Sequence, residues 1–225
     1  MNIIRKARIS ADKRSVDAYG RSIELALAGR SVEGYTYGSE GTITYQAYSV
    51  GDEVTYNNIN YYVIKDSGAS EESVTFLKAE PLSASEIITY SAETGAQTGG
   101  NGGMQYHSSS NNYETSYIKT TVDAWKQAQA PAASEARLIT YEELEDNLGY
   151  DHGTPEASWI NVNPEYTPSW VYNNNFGYWT MSQYEDSASG VWGVTSDGGL
   201  DDIYVSYDYR VVRPVIVLSK SNISS

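Results

Sequence analysis

The sequence predicts an α+β protein in which an N-terminal α-helix is followed by a domain of short antiparallel strands with two or three helices. Three observations support this fold class. Apolar residues recur at three- and four-residue steps within the first 30 residues, two β-rich runs flank the pair Asn57-Asn58, and the last quarter of the chain returns to short strand-like runs. The first pattern is typical of an amphipathic helix and the second of a β-hairpin.

Composition narrows the range of functions. The 225 residues carry a formal charge of -14 and include no Cys, 21 Tyr and 2 Phe. The absence of Cys excludes thiol catalysis and Cys-ligated zinc. Because the negative charge opposes phosphate backbones, we expect no nucleic-acid partner. A core would be served equally well by Phe, so the excess of Tyr predicts rings with one end in water, at a surface or an interface.

Residues 1–30 form a separate basic segment. They contain seven Lys or Arg and three Asp or Glu, a net charge of +4, which leaves -18 for the rest of the chain. Apolar positions from Ile4 to Leu27 follow helical spacing, and Gly29 supplies a stop. Together with a Gly-, Tyr- and Ser-rich connector at 34–41, this predicts a first module at 1–41 and a second at 42–225. We expect the helix to protrude or to pack lightly.

Within the second module, strands are predicted from alternating β-rich runs. The runs at 50–56 and 59–65 are joined by two Asn residues, a hairpin signal, and a third run follows at 73–79. The stretch 91–112 is rich in Gly, Ser and Asn. This composition predicts a long loop, which is ordered only if the domain folds over it.

Helices are predicted from capping signals. Ser83 with Glu86, and Thr140 with Glu143, have the capping-box spacing, in which a hydroxyl and a carboxylate each satisfy a free backbone N–H. We therefore expect helices to begin at both places. A third helix is predicted across 117–129, with three large apolar residues on one face, namely Ile118, Val122 and Trp125.

The last quarter of the chain alternates a stiff frame with an interchangeable filling. The frame consists of apolar runs, Y-W-T-M-S at 178–182, V-W-G-V at 191–194 and R-V-V-R-P-V-I-V-L at 210–218. The filling consists of 185–190, Gly193, Thr195, Ser196 and 201–209, and it is dominated by Tyr, Ser, Gly, Asp and Asn. Tyr gives large contact area at low entropy cost while Ser, Gly and Asn adapt their hydrogen bonds, as in antibody paratopes. We interpret this variable region, about 170–213, as part of a ligand-binding surface.

Twelve residues in and beside the filling are predicted to contact a ligand on one exposed patch. They are Tyr178, Tyr184, Glu185, Gly193, Thr195, Asp201, Asp202, Tyr204, Ser206, Tyr207, Asp208 and Tyr209. We interpret Trp170, Trp179 and Trp192 as core residues rather than ligand platforms. Arg213 is predicted to form a structural ion pair or a backbone clamp, whereas Arg210 borders the filling and could face a ligand.

The N-terminal segment resembles a known family. The stretch N-I-I-R-K-A-R-I-S-A-D-K-R-S-V-D-A-Y-G-R-S-I-E-L-A at 2–26 looks like the outer half of the long first helix of type IV pilins and pseudopilins. In that family the helix begins with a basic leader, a processing site and an apolar span, and this sequence contains none of them. We expect that the span was removed and Met1 added.

A second resemblance covers about three quarters of the chain. The motifs G-D-E-V-T-Y at 51–56 and A-R-L-I-T-Y-E-E-L at 136–144, with the three frame runs, resemble the C-type-lectin-like fold. They are similar to its branch of formylglycine-generating enzymes and variable proteins of diversity-generating retroelements. In such variable proteins, substitution at template adenines cannot create Lys, Glu, Gln, Met or Trp. None of these five occurs at 193–209.

Departures from these families argue against catalysis. Formylglycine-generating enzymes work through a Cys pair, so that activity is excluded. The calcium-loop tripeptides of sugar-binding lectins are absent, and Asn163-Pro164-Glu165 is interpreted as a plain turn. His107 and His152 lack a nucleophile-elbow motif and are interpreted as exposed loop residues. We expect no enzyme activity and no cofactor, and no metal site is predicted, although oxygen ligands for calcium exist at Asp186, Asp197, Asp201 and Asp202.

These observations predict a surface-displayed, pilus-associated binding protein of the adhesin type, located outside the cell, at the cell surface or in a pilus. Its expected partner is a protein or a glycan, with other pilin subunits as further partners. Contact with the membrane is expected only through the removed N-terminal segment. The alternative is a structural minor pilin whose Tyr-rich face packs against neighbouring subunits, and the third hypothesis is a degenerate hydrolase or lyase on the same scaffold.

Overall fold

The computed structural model describes residues 31–32, 35–37, 43–150, 159–160, 167–172 and 176–223. This part of the chain is α+β, with antiparallel sheets and a few helices, which confirms the predicted fold class at that level. The helix expected within residues 1–30 lies outside the described residues.

Twelve strands and four α-helices occur in the described part of the chain. The strands are β1 (Ser31–Val32), β2 (Tyr35–Tyr37), β3 (Ile43–Tyr45), β4 (Glu53–Tyr56), β5 (Ile59–Asp66), β6 (Ser73–Lys78), β7 (Glu135–Arg137), β8 (Trp159–Ile160), β9 (Tyr178–Gln183), β10 (Gly190–Val194), β11 (Leu200–Tyr204) and β12 (Val215–Ser219). The α-helices are α1 (Ala84–Tyr90), α2 (Tyr117–Gln129), α3 (Tyr141–Leu148) and α4 (Ser169–Tyr172), and 3-10 turns occur at Tyr113–Thr115 and Lys220–Asn222.

The C-terminal strand lies inside a five-stranded sheet of order β4-β5-β6-β12-β7. Strand β12 pairs antiparallel with β6, so that Val215 lies opposite Leu77, and it pairs with β7 on its other side. Directly after β12, the Lys220 Nζ atom lies 2.6 Å from Asp66 Oδ1 at the end of β5, and both side chains are buried. The end of the chain is therefore tied to the first hairpin.

Strands β9, β10 and β11 of the variable region form, together with β8, a four-stranded sheet of order β8-β11-β10-β9. In the β10-β11 hairpin, Val191 lies opposite Ile203 and Val194 lies opposite Leu200. The first pair belongs to one buried apolar cluster and the second pair to another. Because residues three apart in a strand point to opposite faces, this sheet is covered by core on both sides.

The smallest sheet, of order β1-β2-β3, extends across the predicted boundary at 41–42. Strand β2 lies inside the segment 34–41, which the sequence predicted to be a connector. Its residues Tyr35–Tyr37 pair with β3 and have the β propensity of Tyr and Thr. The division of the chain into two modules stays a prediction.

The first hairpin forms as predicted. Strands β4 and β5 are joined by Asn57 and Asn58, whose φ angles of 50° and 61° lie in the left-handed region that a type I′ turn requires. The first strand is shorter than the predicted run, because Asp52 N–H donates to the Ser49 carbonyl, 3.0 Å away, in a turn that precedes β4.

All three predicted helices are present. Both capping boxes form, with the Ser83 hydroxyl and the Glu86 carboxylate at the start of α1, and with Thr140 and Glu143 at the start of α3. Helix α2 has the predicted bounds, and it buries the predicted apolar face of Ile118, Val122 and Trp125.

Segment 91–112 is irregular but ordered against the variable region. Its Gly103 forms an isolated bridge with Val211, and the Tyr106 N–H donates to the Val205 carbonyl at 3.0 Å. Met104 and Tyr106 are fully buried beneath this contact. The loop therefore supports residues 205–211 from inside.

Arg213 forms the backbone clamp that the sequence offered as one of two possibilities. The buried guanidinium donates through Nε to the Lys78 carbonyl, through Nη1 to Val171, and through Nη2 to Ala79 and Trp170, at 2.7 to 2.9 Å. Such hydrogen bonds from a charged group are stronger than neutral ones. They join the end of β6 to α4, and the guanidinium lies 5.4 Å from the ring of Tyr178 in β9.

Candidate functional site

The β10-β11 hairpin places its residues on two distinct faces. Trp192 lies directly opposite Asp202, and Gly193 lies opposite Asp201, so the two adjacent Asp side chains point to opposite sides of the sheet. The Asp202 face also carries Trp192, which is half-buried, as is Asp202 itself. This face reaches solvent at the end of the hairpin where β10 begins.

At that end a glycine separates two tyrosines. The Tyr184 N–H donates to the Gly190 carbonyl at 3.1 Å, and Gly190 is the register partner of Tyr204. A Cβ atom on Gly190 would come within 3.3 Å of Tyr184 Cβ and Cδ1, so the Tyr184 side chain packs over this glycine. With neighbouring strands about 5 Å apart, the backbones of the two tyrosines are about 10 Å apart.

Aromatic ring contacts continue on both sides of Gly190. Tyr204 contacts Tyr207 with ring centroids 5.8 Å apart, and Tyr207 contacts Tyr209 at 5.3 Å. On the other side, Tyr184 meets Trp192 at 5.2 Å and 90°, and the Trp192 ring lies 5.2 Å from the ring of Tyr141. We call the whole set the aromatic row, defined as Tyr141, Trp192, Tyr184, Tyr204, Tyr207 and Tyr209.

Half of the aromatic row is strongly exposed. The exposed fractions are 56% for Tyr204, 42% for Tyr207 and 43% for Tyr209, and Phe176 near the same end is 43% exposed. Contiguous exposed apolar surface on a folded domain often marks an interaction site. These residues account for four of the six large exposed hydrophobics in the described part of the chain.

The irregular segment 205–209 carries two of these rings, and hydrogen bonds to its backbone hold it in place. The Asn101 side-chain amide donates to the Tyr209 carbonyl at 3.0 Å, and Gln105 Nε2 donates to the Ser206 carbonyl at 3.4 Å. Beneath them the Trp179 indole N–H donates to the Met104 carbonyl at 2.9 Å. The exposed rings therefore stand on a supported backbone, as a preorganised site requires.

Acidic groups surround the Tyr184 end of the row. Burial raises the pKa of the Tyr184 phenol, and the nearby Asp186 and Asp202 carboxylates raise it further. On the other face of the sheet, burial raises the pKa of Asp201, and repulsion by Asp202 adds to the shift. In both cases burial is the larger cause, and the neighbouring carboxylates add to it.

Arg210 lies at the other end of the row. Its guanidinium stands 5.2 Å over the Tyr209 ring, and its Nη1 donates to the Phe176 carbonyl at 2.9 Å. Burial lowers the pKa of Arg210, although Tyr209, Asp201 and Asp197 act in the opposite direction. Arg210 is 9% exposed, so it supports the end of the row more than it contacts solvent.

Two of the twelve predicted ligand residues lie in the interior, and the prediction that they join the exposed patch is wrong. Tyr178 is fully buried, and its hydroxyl donates to the Val171 carbonyl at 2.8 Å. Gly193 is also buried, and a Cβ atom there would come within 2.4 Å of Ile203 Cδ1. Packing against neighbours on a covered sheet, rather than a ligand, accounts for both residues.

The other predicted residues are exposed or half-buried but do not all serve one patch. Thr195 donates through its hydroxyl to Asp197 and to the Gly199 carbonyl, which closes the β10-β11 turn at the opposite end of the hairpin from Tyr204. Asp201 lies on the opposite face from Asp202. The structure gathers the remaining residues around Tyr184 and along 204–209, and they are Glu185, Asp202, Tyr204, Ser206, Tyr207, Asp208 and Tyr209.

Sequence reasoning missed Tyr141 and undervalued Trp192 as members of the row. Trp179 is fully buried, as predicted, whereas Trp192 and Trp170 are half-buried, and Trp170 stacks on Tyr62 at 4.5 Å. Tyr141 follows the capping residue of α3, and its N–H donates to Ser182 Oγ at 2.8 Å. The capping box located this residue on a helix start, but no local signal placed that start beside β9.

Other chemistry finds little support in the described residues. The ring of His107 stacks on Tyr117, and its Nδ1 accepts from the Ser109 and Ser110 N–H groups, so it has a structural role. His152 lies outside the described residues. Across the described ranges, no group of three or more His, Asp or Glu side chains is placed to hold a metal ion.

A cleft of about 320 Å³ lies between α2, β7 and the 3-10 turn before α2. Its charged lining is largely paired internally. Within the lining Lys119 pairs with Asp123 and Arg137 with Glu135, and Arg137 also forms a two-pronged salt bridge to Glu143, outside the lining. Since these charges already satisfy one another, the cleft is a weaker candidate than the aromatic row.

Comparison of the chain with protein-family models, with curated proteins and with solved structures finds no match in any of the three. The resemblances to pilins and to C-type-lectin-like domains therefore stay predictions from the sequence. In the portion that the structure describes, no helix has the length and apolar character needed to cross a bilayer.

Proposed function

We propose that this chain is a binding protein that contacts its ligand through the aromatic row. The observation that carries the proposal is the run of exposed rings at Tyr204, Tyr207 and Tyr209 on a backbone fixed from inside. Large amphipathic rings on a rigid support give contact area at low entropy cost. This arrangement is suited to a protein or glycan surface rather than to catalysis.

The finer proposal is a surface-displayed, pilus-associated protein of the adhesin type. It combines the pilin-like segment at 2–26 with a C-type-lectin-like binding domain, and it assigns the protein to the cell surface or a pilus outside the cell. The filling would then be a region diversified between copies. A side chain at Gly193 would require Ile203 to move, because its Cδ1 atom lies 2.4 Å from the position of an added Cβ atom.

A triple substitution tests the binding role. Tyr204→Ser, Tyr207→Ser and Tyr209→Ser together remove the exposed rings, while surface changes of this kind leave stability nearly unaffected. The control is Val50→Ser with Ile88→Ser, which removes exposed apolar side chains outside the row, 46% and 65% exposed. Each protein is labelled and applied to an array of glycans and cell-surface proteins.

The proposal expects the wild-type and control proteins to bind the same array members and the triple variant to lose them with an unchanged melting temperature. Equal binding by all three proteins, or binding by none, would refute the ligand role. The structural-pilin alternative predicts a different result, namely self-association of the wild-type chain in sedimentation experiments that the triple variant abolishes.

A further inference from the structure

Within the aromatic row, the rings of Tyr184 and Trp192 meet at a right angle and form a corner. Tyr184 meets Trp192 with an interplanar angle of 90°, and Tyr141 lies against the same indole with a tilt of 37°. All three side chains are half-buried, so each retains a solvent-facing part. Ring faces are electron-rich and attract cations, and Trp is the strongest of the aromatic side chains in this respect.

Carboxylates stand beside this corner without a cationic partner. Asp202 lies opposite Trp192 in the strand register, and Asp186 follows Tyr184 by two residues. Among the described residues, neither Asp forms a salt bridge with Lys or Arg. Arg210 stands over Tyr209, at the far end of the row, and so does not neutralise them.

We propose that the corner formed by Tyr184, Trp192, Asp186 and Asp202 binds a Lys or Arg side chain on a protein partner. The inference rests on the proposed binding function and specifies the partner's chemistry. The cation would lie against the ring faces while its charge is balanced by the two carboxylates. Asp186 is hydrogen-bonded to the Tyr184 phenol, but neither carboxylate has a cationic partner among the described residues, and a neutral glycan would not supply one.

Three capped peptides of equal length test this inference on the full chain. In them glycine alternates with arginine, with glutamine or with glutamate, and binding is followed by fluorescence anisotropy at low and high salt. We expect the arginine peptide to bind at least about tenfold more tightly than the glutamine peptide, and the glutamate peptide not to bind. High salt should weaken the interaction, since exposed charges are screened over about 10 Å at 0.1 M.

Because the chain carries a charge of -14, nonspecific attraction needs a matched control. Asp186→Asn with Asp202→Asn removes two charges at the corner, and Glu71→Gln with Glu93→Gln removes two exposed charges elsewhere. We expect about a tenfold loss of arginine-peptide affinity for the first pair and less than twofold for the second. Tyr184→Leu, which keeps apolar bulk, should weaken binding about two- to fivefold, as expected for an exposed cation–π contact.

Equal losses for the two charge pairs, or equal binding of the arginine and glutamine peptides, would overturn the cation site. Preference for neutral glycans on the array, unaffected by Asp186→Asn with Asp202→Asn, would overturn it in favour of a sugar ligand. Either result leaves the binding function intact, because that function is refuted only if the Tyr204, Tyr207 and Tyr209 variant behaves like wild type on the array.

Discussion

Tyrosines occupy two opposite environments in this molecule. Tyr61, Tyr106 and Tyr178 are at most 1% exposed, while Tyr204 and Tyr207 are 56% and 42% exposed. From the excess of Tyr over Phe we expected tyrosine rings with one end exposed to solvent. That expectation holds only for the exposed tyrosines. Residue type therefore does not decide whether a ring lies in the core or at the surface. The face of the strand or loop that carries the ring decides it.

The buried tyrosines also differ among themselves. The Tyr178 hydroxyl donates to the Val171 carbonyl, and its ring lies 5.4 Å from the Arg213 guanidinium. In contrast, the hydroxyls of Tyr61, Tyr106 and Tyr150 have no hydrogen-bond partner within the described part of the chain. An unpaired buried hydroxyl costs about 1–3 kcal/mol. The core therefore contains polar atoms that do not stabilise it.

The largest contrast between the two environments is expected for truncation to alanine. Trp179→Ala removes a fully buried ring that packs on Tyr106 and whose indole N–H satisfies the Met104 carbonyl, and should cost about 3–5 kcal/mol. Tyr204→Ala and Asp208→Ala should stay within about 0.5 kcal/mol. Urea unfolding of the three variants measures this, and similar losses would mean that segment 204–209 is part of the core.

The second-largest effect is expected at alkaline pH, through the buried tyrosines. Burial raises the pKa of Tyr61, Tyr106, Tyr113 and Tyr150 above 10, and it raises that of Tyr178 to about 12. Because the unfolded chain loses these protons first, the stability that they provide is complete below pH 10 and falls as the pH rises toward the folded-state pKa values. Each phenol contributes a slope of about 1.4 kcal/mol per pH unit.

Unfolding free energies between pH 9 and pH 11 check this coupling. Tyr106→Phe should reduce the slope by about 1 kcal/mol per pH unit between pH 10 and pH 11, since it removes one buried phenol and the limiting slope is reached only well above the unfolded-state pKa. An unchanged slope in the Tyr106→Phe variant would mean that burial does not couple this phenol to stability.

The smallest effect distinguishes paired from unpaired buried hydroxyls. Tyr178→Phe should destabilise the protein by about 1 kcal/mol, the net value of a typical intramolecular hydrogen bond. Its cost is limited because Arg213 Nη1 also donates to the Val171 carbonyl, at 2.7 Å. Tyr106→Phe should be neutral or slightly stabilising at neutral pH, since no hydrogen bond is lost. Thermal melts in parallel decide the order, and the reverse order would contradict the assignment of the hydroxyl partners.

Local elements were predictable because their signals act over a few residues. Asn57 and Asn58 tolerate the left-handed backbone of the hairpin turn, and a hydroxyl and a carboxylate three residues apart cap helices at Ser83 and Thr140. The loop at 91–112 was also predictable from its composition. What its composition could not reveal is that it underlies the variable region through Gly103 and Tyr106.

The candidate site was predictable in part. Tyr204, Tyr207 and Tyr209 were placed on an exposed patch, and the ring contacts bring them together. Tyr178 and Gly193 were misplaced because a sheet covered on both faces has no polar-out alternation from which an outward side can be assigned. Tyr141 was missed because its neighbour Trp192 is 51 residues away in sequence.

The sequence by itself determined the α+β class, the hairpin, the helix starts and a Tyr-rich region without Cys chemistry, since each depends on backbone preference, capping or composition. Tertiary structure decided which tyrosines are exposed, that Gly190 separates Tyr184 from Tyr204, and that Arg213 clamps the backbone while Arg210 borders the row. The physical reason is that strand register and sheet packing assign each side chain to a face, and both depend on partners distant in the chain.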